Sequence, residues 1–326
     1  MIVENRCEIC KNSENNFFYD VEERLLGLGD CFSYMECSKC GLLQLIDMPE
    51  DFGKYYPSDY YSFAPFHRKK RTTWQKVGLF IGSELRNRYY RNKWKILTQI
   101  VFLLFPNRTA PIEPCENLMD KRILDIGCGN AYLLHKMLLD GFNYLYGVDP
   151  FVDDSFEYVS DNHTGKISVL KGELFDIGET FDIIMLNHSL EHMKDQEKVM
   201  MHVNKLLSET GECIIRIPTV SSPVWSKYRE FWYHLDAPRH LFLHSIKSFT
   251  ILFQKCGLKI MKFVNEPSEG YIRSEFYKKG LNIEQQNKYL KTIFGRLLLV
   301  KHSIYSYFLT KRSKSDSIRI HLTKER

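Results

Sequence analysis

No stretch of this 326-residue chain is apolar for long enough to cross a bilayer. The longest such run, Ile96–Phe105, spans ten residues and is interrupted by Thr98 and Gln99; a spanning helix needs about twenty. The opening residues, MIVENRCEIC, are polar and lack the hydrophobic region of a secretory signal. These absences lead us to expect a cytoplasmic protein whose thiols stay reduced. Acids are scarce in two places. Residues 66–112 carry eleven Lys and Arg against Glu84, and residues 291–326 carry nine against Asp316 and Glu325. The formal net charge is only +5, so the rest of the chain is net acidic. Two basic segments on an acidic body imply either an anionic partner or solvated helix faces. At 44% hydrophobic and 26% charged, the composition is that of an ordinary globular protein. The length accommodates one large domain or two or three smaller ones.

Cysteine, in contrast, is plentiful and patterned. Cys7–Glu8–Ile9–Cys10 and Cys37–Ser38–Lys39–Cys40 form two C-x-x-C pairs separated by twenty-six residues. Each pair brings two thiolates to one ion, and two pairs close a tetrahedral four-thiolate site of the kind that holds structural zinc. Gly41 suits the tight knuckle that follows such a pair. The spacer leaves room for a hairpin between the knuckles. A lobe of about fifty residues has little core of its own, so metal binding would supply part of its folding free energy.

Beyond residue 50 the Tyr- and Pro-rich stretch DFGKYYPSDYYSFAPF reads as an ordered linker. From Thr73 the apolar residues fall at helical spacing, and a second helix is expected from about Tyr89 to Phe105, before Pro106. Residues 107–117 read as the linker into the main domain. The organisation is therefore a lobe at 1–50, a Tyr-rich and basic helical connector at 51–117, and a domain at 118–326. In that domain strand and helix patterns alternate: RILDI, LYGVDP, KISVLKG, FDIIMLN, GECIIRIP and LKIMKFVN are strands, and VMMHVNKLLSETG is a helix reaching Gly211. Near-continuous apolar strands between helices indicate an α/β fold with a parallel sheet covered on both faces. Ser317–Thr323 alternates apolar and polar residues and is expected as a seventh strand, with a long helix over Ile283–Leu309 as part of an insertion near 270–312.

The run Arg122–Leu133, RILDIGCGNAYL, is the most specific part of that domain. A strand ends in an acid, Gly127 and Gly129 follow, and the pattern turns helical, which is how an open α/β sheet builds a nucleotide pocket. Asp125 would repel a pyrophosphate and welcome an amine or hydroxyl. Asp149 lies twenty-two residues beyond Gly127, at the distance from which an acid accepts from ribose hydroxyls. Together LDIGCGNAYLL, GVDP, FDIIMLNHSLEH and GECIIRIPT resemble the class I S-adenosylmethionine-dependent methyltransferases over roughly Asp120 to Val264. That resemblance implies a seven-stranded, doubly wound Rossmann-like methyltransferase sheet with S-adenosylmethionine as cofactor. It places the backbone of Gly127, Cys128 and Gly129 along the methionine portion, Asp125 near the amine and Asp149 on the ribose. It puts Glu173, with Asp176 as rival, at the adenine amine, and Asn187 and His188 beside the reactive methyl. Ala131 stands where that family often has a third glycine.

The N-terminal lobe, the YYPSDYYSF linker and the NHSLEH segment resemble a narrower group of bacterial methyltransferases with a zinc-binding N-terminal domain, active in sugar and surface-polysaccharide pathways. On that resemblance the expected acceptor is a sugar-containing intermediate, a nucleotide sugar or lipid-linked glycan, with peripheral contact to an anionic membrane through the basic helices. The aromatic loop TVSSPVWSKYREFWYHLDAPRH, with Trp225, Trp232, Tyr233, Arg229 and Arg239, would pack on sugar rings and bind phosphate. A hydroxyl nucleophile must lose a proton, and Glu191, His192 and His240 are the candidates to take it; the segments carrying them are expected near the cofactor's methyl. The competing account of Glu191 and His192 is that they cap and orient a helix. Two other functions stay open: an RNA methyltransferase gripping RNA with its zinc ribbon and basic segments, and a cofactor-binding scaffold without turnover.

Overall fold

A computed structural model describes residues 5–57, 73–91, 112–159, 165–312 and 314–325. Most of the helix expected over Tyr89–Phe105 and of the Tyr-rich linker lies outside the described residues, as does the start of the linker at 107–117, while Tyr89 and Tyr90 end the helix that begins at Thr73. In chain order, β1 (Phe17–Glu22), β2 (Cys31–Glu36) and β3 (Leu43–Leu45) precede α1 (Thr73–Tyr90). Next come β4 (Arg122–Ile126), α2 (Tyr132–Leu139), β5 (Tyr144–Asp149), β6 (Phe156–Val159), β7 (Lys166–Lys171) and β8 (Phe181–Asn187). After α3 (Gln196–Leu206) and β9 (Leu207–Pro218) follow α4 (Pro223–Tyr228), β10 (Phe242–Leu243) and α5 (Ile246–Lys255). The chain finishes with β11 (Leu258–Asn265), α6 (Gly270–Lys278), α7 (Ile283–Leu290), α8 (Ile293–Lys311) and β12 (Ser317–Lys324).

These elements fall into two compact units. One comprises Ser58–Asn187 and His202–Ile214; the other comprises Met1–Pro57, His188–Met201 and Ile215–Arg326. In the first unit β4 pairs in parallel with both β5 and β8, and β5 with β7. Both faces of these strands are covered, which is why they read as unbroken apolar runs: Ile123, Leu124 and Ile126 are all buried. Ile123, Leu134, Met137, Phe142, Leu145, Ile167 and Ile183 belong to one buried cluster that holds α2 to the sheet. The short β6 pairs antiparallel with β7 and is largely exposed. It raises the expected seven strands to eight.

β9 contributes its first half to this unit and its second half to the other. The strand order reads β11-β12-β9-β8-β4-β5-β7-β6, an eight-stranded mixed sheet. β12 is the strand expected from the alternation in Ser317–Thr323, and it pairs antiparallel with β11. The helix expected to reach Gly211 stops at Leu206, and Gly211 sits within β9. The long helix expected over Ile283–Leu309 is two helices. Thr292 accepts from the Gly295 N–H at 3.1 Å, capping α8 and separating it from α7.

The second unit contains a four-stranded antiparallel sheet in the order β1-β2-β3-β10, with Phe242 opposite Gln44 and Leu243 opposite Leu43. A two-residue strand from late in the chain thus completes the sheet that begins between the two cysteine pairs. Tyr34 in β2 donates to the His240 carbonyl at 2.8 Å, and the Leu45 N–H donates to the Leu241 carbonyl at 2.9 Å. α8 leaves Ile293, Phe294, Leu297, Val300, Ile304, Tyr307 and Phe308 exposed. Among the described residues no helix is long and apolar enough to cross a membrane.

Candidate functional site

Three adjacent parallel strands of the first unit bring Asp125, Asp149 and Asn187 to their carboxyl ends. Asp125 stands opposite Gly147 of β5 and Met185 of β8. It is 2% exposed, and burial, reinforced by the nearby Asp149, pushes its carboxyl up to about 7 against the stabilising bond from Asn187. Asn187 donates from Nδ2 to Asp125 Oδ1 at 3.0 Å, while its own Oδ1 is buried with no partner. The loop between β4 and α2 takes the conformation its glycines permit: Gly127 has φ 75° and Gly129 φ 51°. Ala131, where a third glycine was noted as absent, also has left-handed φ at 56° and precedes α2. Gly147 must lack a side chain, because a Cβ there would lie 2.6 Å from Cys128 Sγ.

Asp149 is already engaged by the loops it joins. Its Oδ2 accepts from the Gly129 N–H at 2.9 Å and its Oδ1 from the Phe151 N–H at 2.8 Å. An ionised carboxylate has about four acceptor positions, so each oxygen retains one for a hydroxyl. Glu173 is exposed at the start of a short 3-10 turn, and its N–H donates to Asp176 Oδ2 at 2.8 Å. The two acids considered for one role therefore form a reciprocal cap.

In the second unit the four cysteines converge. The Sγ atoms of Cys7, Cys10, Cys37 and Cys40 lie within 4.8 Å of one another, with Cys7–Cys40 at 3.5 Å and Cys10–Cys37 at 3.4 Å. Cys40 beside it holds Cys7 down to about 5, and the same contact pushes the Cys40 thiol up. Four sulfurs this close are placed as the ligands of one tetrahedral cation are. Gly41 has φ 73° in the second knuckle, and Lys11 takes φ 59° at the corresponding place in the first.

The same unit gathers Glu191, His192 and His240, whose ligand-type atoms also lie within 4.8 Å of one another. Glu191 is fully buried, and neither carboxylate oxygen has a hydrogen-bond partner. Burial alone would raise it; the imidazoles of His188, His192 and His240 outweigh that and hold it down to about 2. His188, expected beside the cofactor's methyl, has Nδ1 3.4 Å from Glu191 Oε1. His192 Nδ1 lies 2.8 Å from the Arg239 carbonyl and 3.1 Å from the Tyr56 hydroxyl. His240 Nδ1 lies 2.7 Å from the His234 carbonyl, and burial, with His192 beside it, lowers His240 to about 4. The two rings meet edge to face at 4.7 Å. The spacing in HSLEH foreshadows the His188–Glu191 contact. Nothing in the sequence foreshadows Tyr56, 136 residues from His192.

The aromatic loop does not present what a sugar or phosphate would need. Trp225 and Trp232 are 2% and 1% exposed, and Trp232 donates to Asp316 Oδ2 at 2.9 Å. Arg239 is buried against Glu23 at 2.9 Å and is held twice by Asp236. Arg229 is taken by Glu36 at 3.2 Å. The side chains assigned to ring stacking and phosphate binding instead build the unit's interior and its ion pairs.

The family model described as methyltransferase domain matches residues 89–262. Among curated relatives, the tRNA U34 carboxymethyltransferase of Campylobacter hominis is 27% identical over 199 residues, covering 60% of this chain and 64% of the relative. The tRNA U34 carboxymethyltransferase of Campylobacter fetus is 32% identical over 110 residues, covering 32% of this chain and 39% of the relative. The ubiquinone biosynthesis O-methyltransferase of Rickettsia bellii is 23% identical over 104 residues, covering 31% and 43%. The chain thus spans less than two thirds of the length of each of these relatives. The expectation of a sugar-containing acceptor is corrected by these findings: a relative matching 60% of the chain is named for tRNA, and Trp225, Trp232 and Arg239 of the loop expected to grip a sugar are buried.

Proposed function

The chain belongs to the methyltransferase-domain family and is a class I S-adenosylmethionine-dependent methyltransferase, and we propose that its acceptor is an RNA. The observation that carries this reading is the similarity of more than half of the chain to enzymes named for tRNA U34. The two basic segments provide the counter-charge that a polyphosphate backbone requires.

The residues at the strand ends fit the cofactor. Asp125 and the unpartnered Asn187 Oδ1 accept hydrogen bonds from its amine end, and Gly127, Cys128 and Gly129 give its methionine portion a backbone free of obstruction. Asp149 would accept from the ribose with its remaining lone pairs, and Glu173 would take the adenine amine. S-adenosylmethionine, when bound, supplies a methyl group already activated on a sulfonium. The enzyme's remaining tasks are alignment and removal of the acceptor's proton. One of Glu191, His192 and His240 would take that proton. Cys7, Cys10, Cys37 and Cys40 hold a structural zinc ion, a role supported by the convergence of four thiols in one buried cluster.

The test is to incubate the full chain with methyl-labelled S-adenosylmethionine and total tRNA from cells lacking its gene. Label in tRNA, mapped to a nucleotide by digestion and mass spectrometry, is the expected result. Label appearing only in small phenols or sugars, with none in RNA, overturns the reading. A parallel assay with a carboxymethyl-bearing sulfonium distinguishes methyl transfer from the carboxymethyl transfer named for the relatives.

A further inference from the structure

We propose that Glu191, His192 and His240 form a binding site for a divalent transition-metal ion, separate from the four-thiol cluster. The argument starts with Glu191. Its carboxylate is fully buried and makes no hydrogen bond of normal geometry, with His188 Nδ1 standing 3.4 Å from Oε1, and a buried charge persists only when it is paired or bound to a metal. The nearest groups that could pair with it are imidazoles, and two of them are prepared for something else. A carbonyl can only accept, so the short contacts to the Arg239 and His234 carbonyls place a proton on Nδ1 of both His192 and His240. A ring in its neutral form then carries its lone pair on Nε2. Fixing the tautomer through a backbone carbonyl on the far nitrogen is how proteins orient a metal-binding histidine.

The donor set selects the ion. Two imidazoles and one carboxylate suit zinc, cobalt, nickel or iron(II), whereas magnesium and calcium prefer oxygen ligands throughout. Three protein ligands leave a coordination position open, unlike the closed four-thiolate cluster. His188, with Nδ1 3.4 Å from Glu191 Oε1, is 43% exposed. A cation held by the three ligands would lower the pKa of a water or acceptor hydroxyl in the open position. Coordination would engage the lone pairs of all three side chains, so with an ion bound the acceptor's proton would be lost to solvent through the lowered pKa of the coordinated hydroxyl, in place of direct transfer to these residues. The site does not depend on which acceptor is methylated.

The experiment reads metal content, so its failure is separate from a failure of the RNA reading. The full chain is stripped with chelator and dialysed to equilibrium against cobalt(II), followed by elemental analysis and absorption spectroscopy. The expected result is two cobalt ions per chain, only one of which gives the intense thiolate-to-cobalt band. Glu191→Gln and His240→Gln each lose one equivalent and keep that band; Cys37→Ser loses the band and keeps the other equivalent. His192→Gln is a further variant should one of the first two fail to fold. The wild-type count is decisive by itself: one cobalt per chain, fully accounted for by the thiolate band, overturns the proposal. So does a second equivalent that survives both Glu191→Gln and His240→Gln.

Discussion

Asp125 is the residue whose chemistry is most exposed to pH. An apolar strand end is a poor place for a carboxylate, and burial pushes this one up to about 7. Its folded value lies above the unfolded one, so its contribution to the ligand-free chain's stability is complete below about pH 4 and is lost as pH rises through about 7. A cationic amine reverses the preference, because it favours the ionised form. S-adenosylmethionine should therefore bind more weakly as pH falls below about 7, by roughly tenfold per unit. Affinity should decline again above about pH 8, where an α-amino group loses its proton. Calorimetry between pH 6 and 9 checks this, and Asp125→Asn should weaken binding and flatten the acidic limb. Arg239 presents the opposite case, a charge buried with its partners Glu23 and Asp236. Arg239→Met leaves Glu23 uncompensated in the interior and should cost roughly 3–5 kcal/mol. Urea unfolding reads the loss, and Glu23→Gln in the same chain should restore part of it.

At the level of elements, legibility followed locality. RILDIGCGN announced a strand, a left-handed loop and a helix because glycine, acid and apolar run are adjacent, and the structure places them so. The cysteine pairs were readable for the same reason: each knuckle is four residues long. β10 was not readable, because Phe242 and Leu243 are strand only by virtue of pairing with Gln44 and Leu43 some two hundred residues earlier. The break between α7 and α8 rests on one hydroxyl, that of Thr292, inside an otherwise helical pattern. The aromatic loop misled because Trp and Arg are equally suited to a binding face and to an interior, and only burial distinguishes them. The knuckles themselves supply a test. Lys11 occupies the left-handed position that Gly41 fills in the second knuckle, at an intrinsic cost of about 1–2 kcal/mol for a residue with a Cβ. Part of that cost returns as the greater unfolded freedom of glycine. Lys11→Gly should raise the unfolding free energy by about 0.5–1 kcal/mol in the zinc-loaded chain, seen as a shift of the thermal midpoint.

For the molecule as a whole, charge and exposed aromatics point the same way. α8 carries Lys301 and Lys311 and is followed by Arg312, all exposed, beside Phe294, Tyr307 and Phe308, which are 71%, 55% and 54% exposed. Cations interleaved with bare aromatic faces suit a single-stranded nucleic acid, whose phosphates pair with the former and whose bases stack on the latter. The two contributions separate under salt. Each phosphate neutralised on a single strand adds about 0.7 to the slope of log affinity against log salt. Replacing Lys301, Lys311 and Arg312 with Gln should therefore reduce that slope by about 2 in tRNA filter binding. Replacing Phe294, Tyr307 and Phe308 with Ala should leave the slope in place and weaken binding by about 1–3 kcal/mol for each base that loses its platform. The same face is also what a peripheral membrane helix would display, apolar residues among cations. Sedimentation with anionic vesicles distinguishes the two. If the chain binds vesicles through these six residues and its tRNA affinity is indifferent to them, α8 serves a lipid surface and not an RNA.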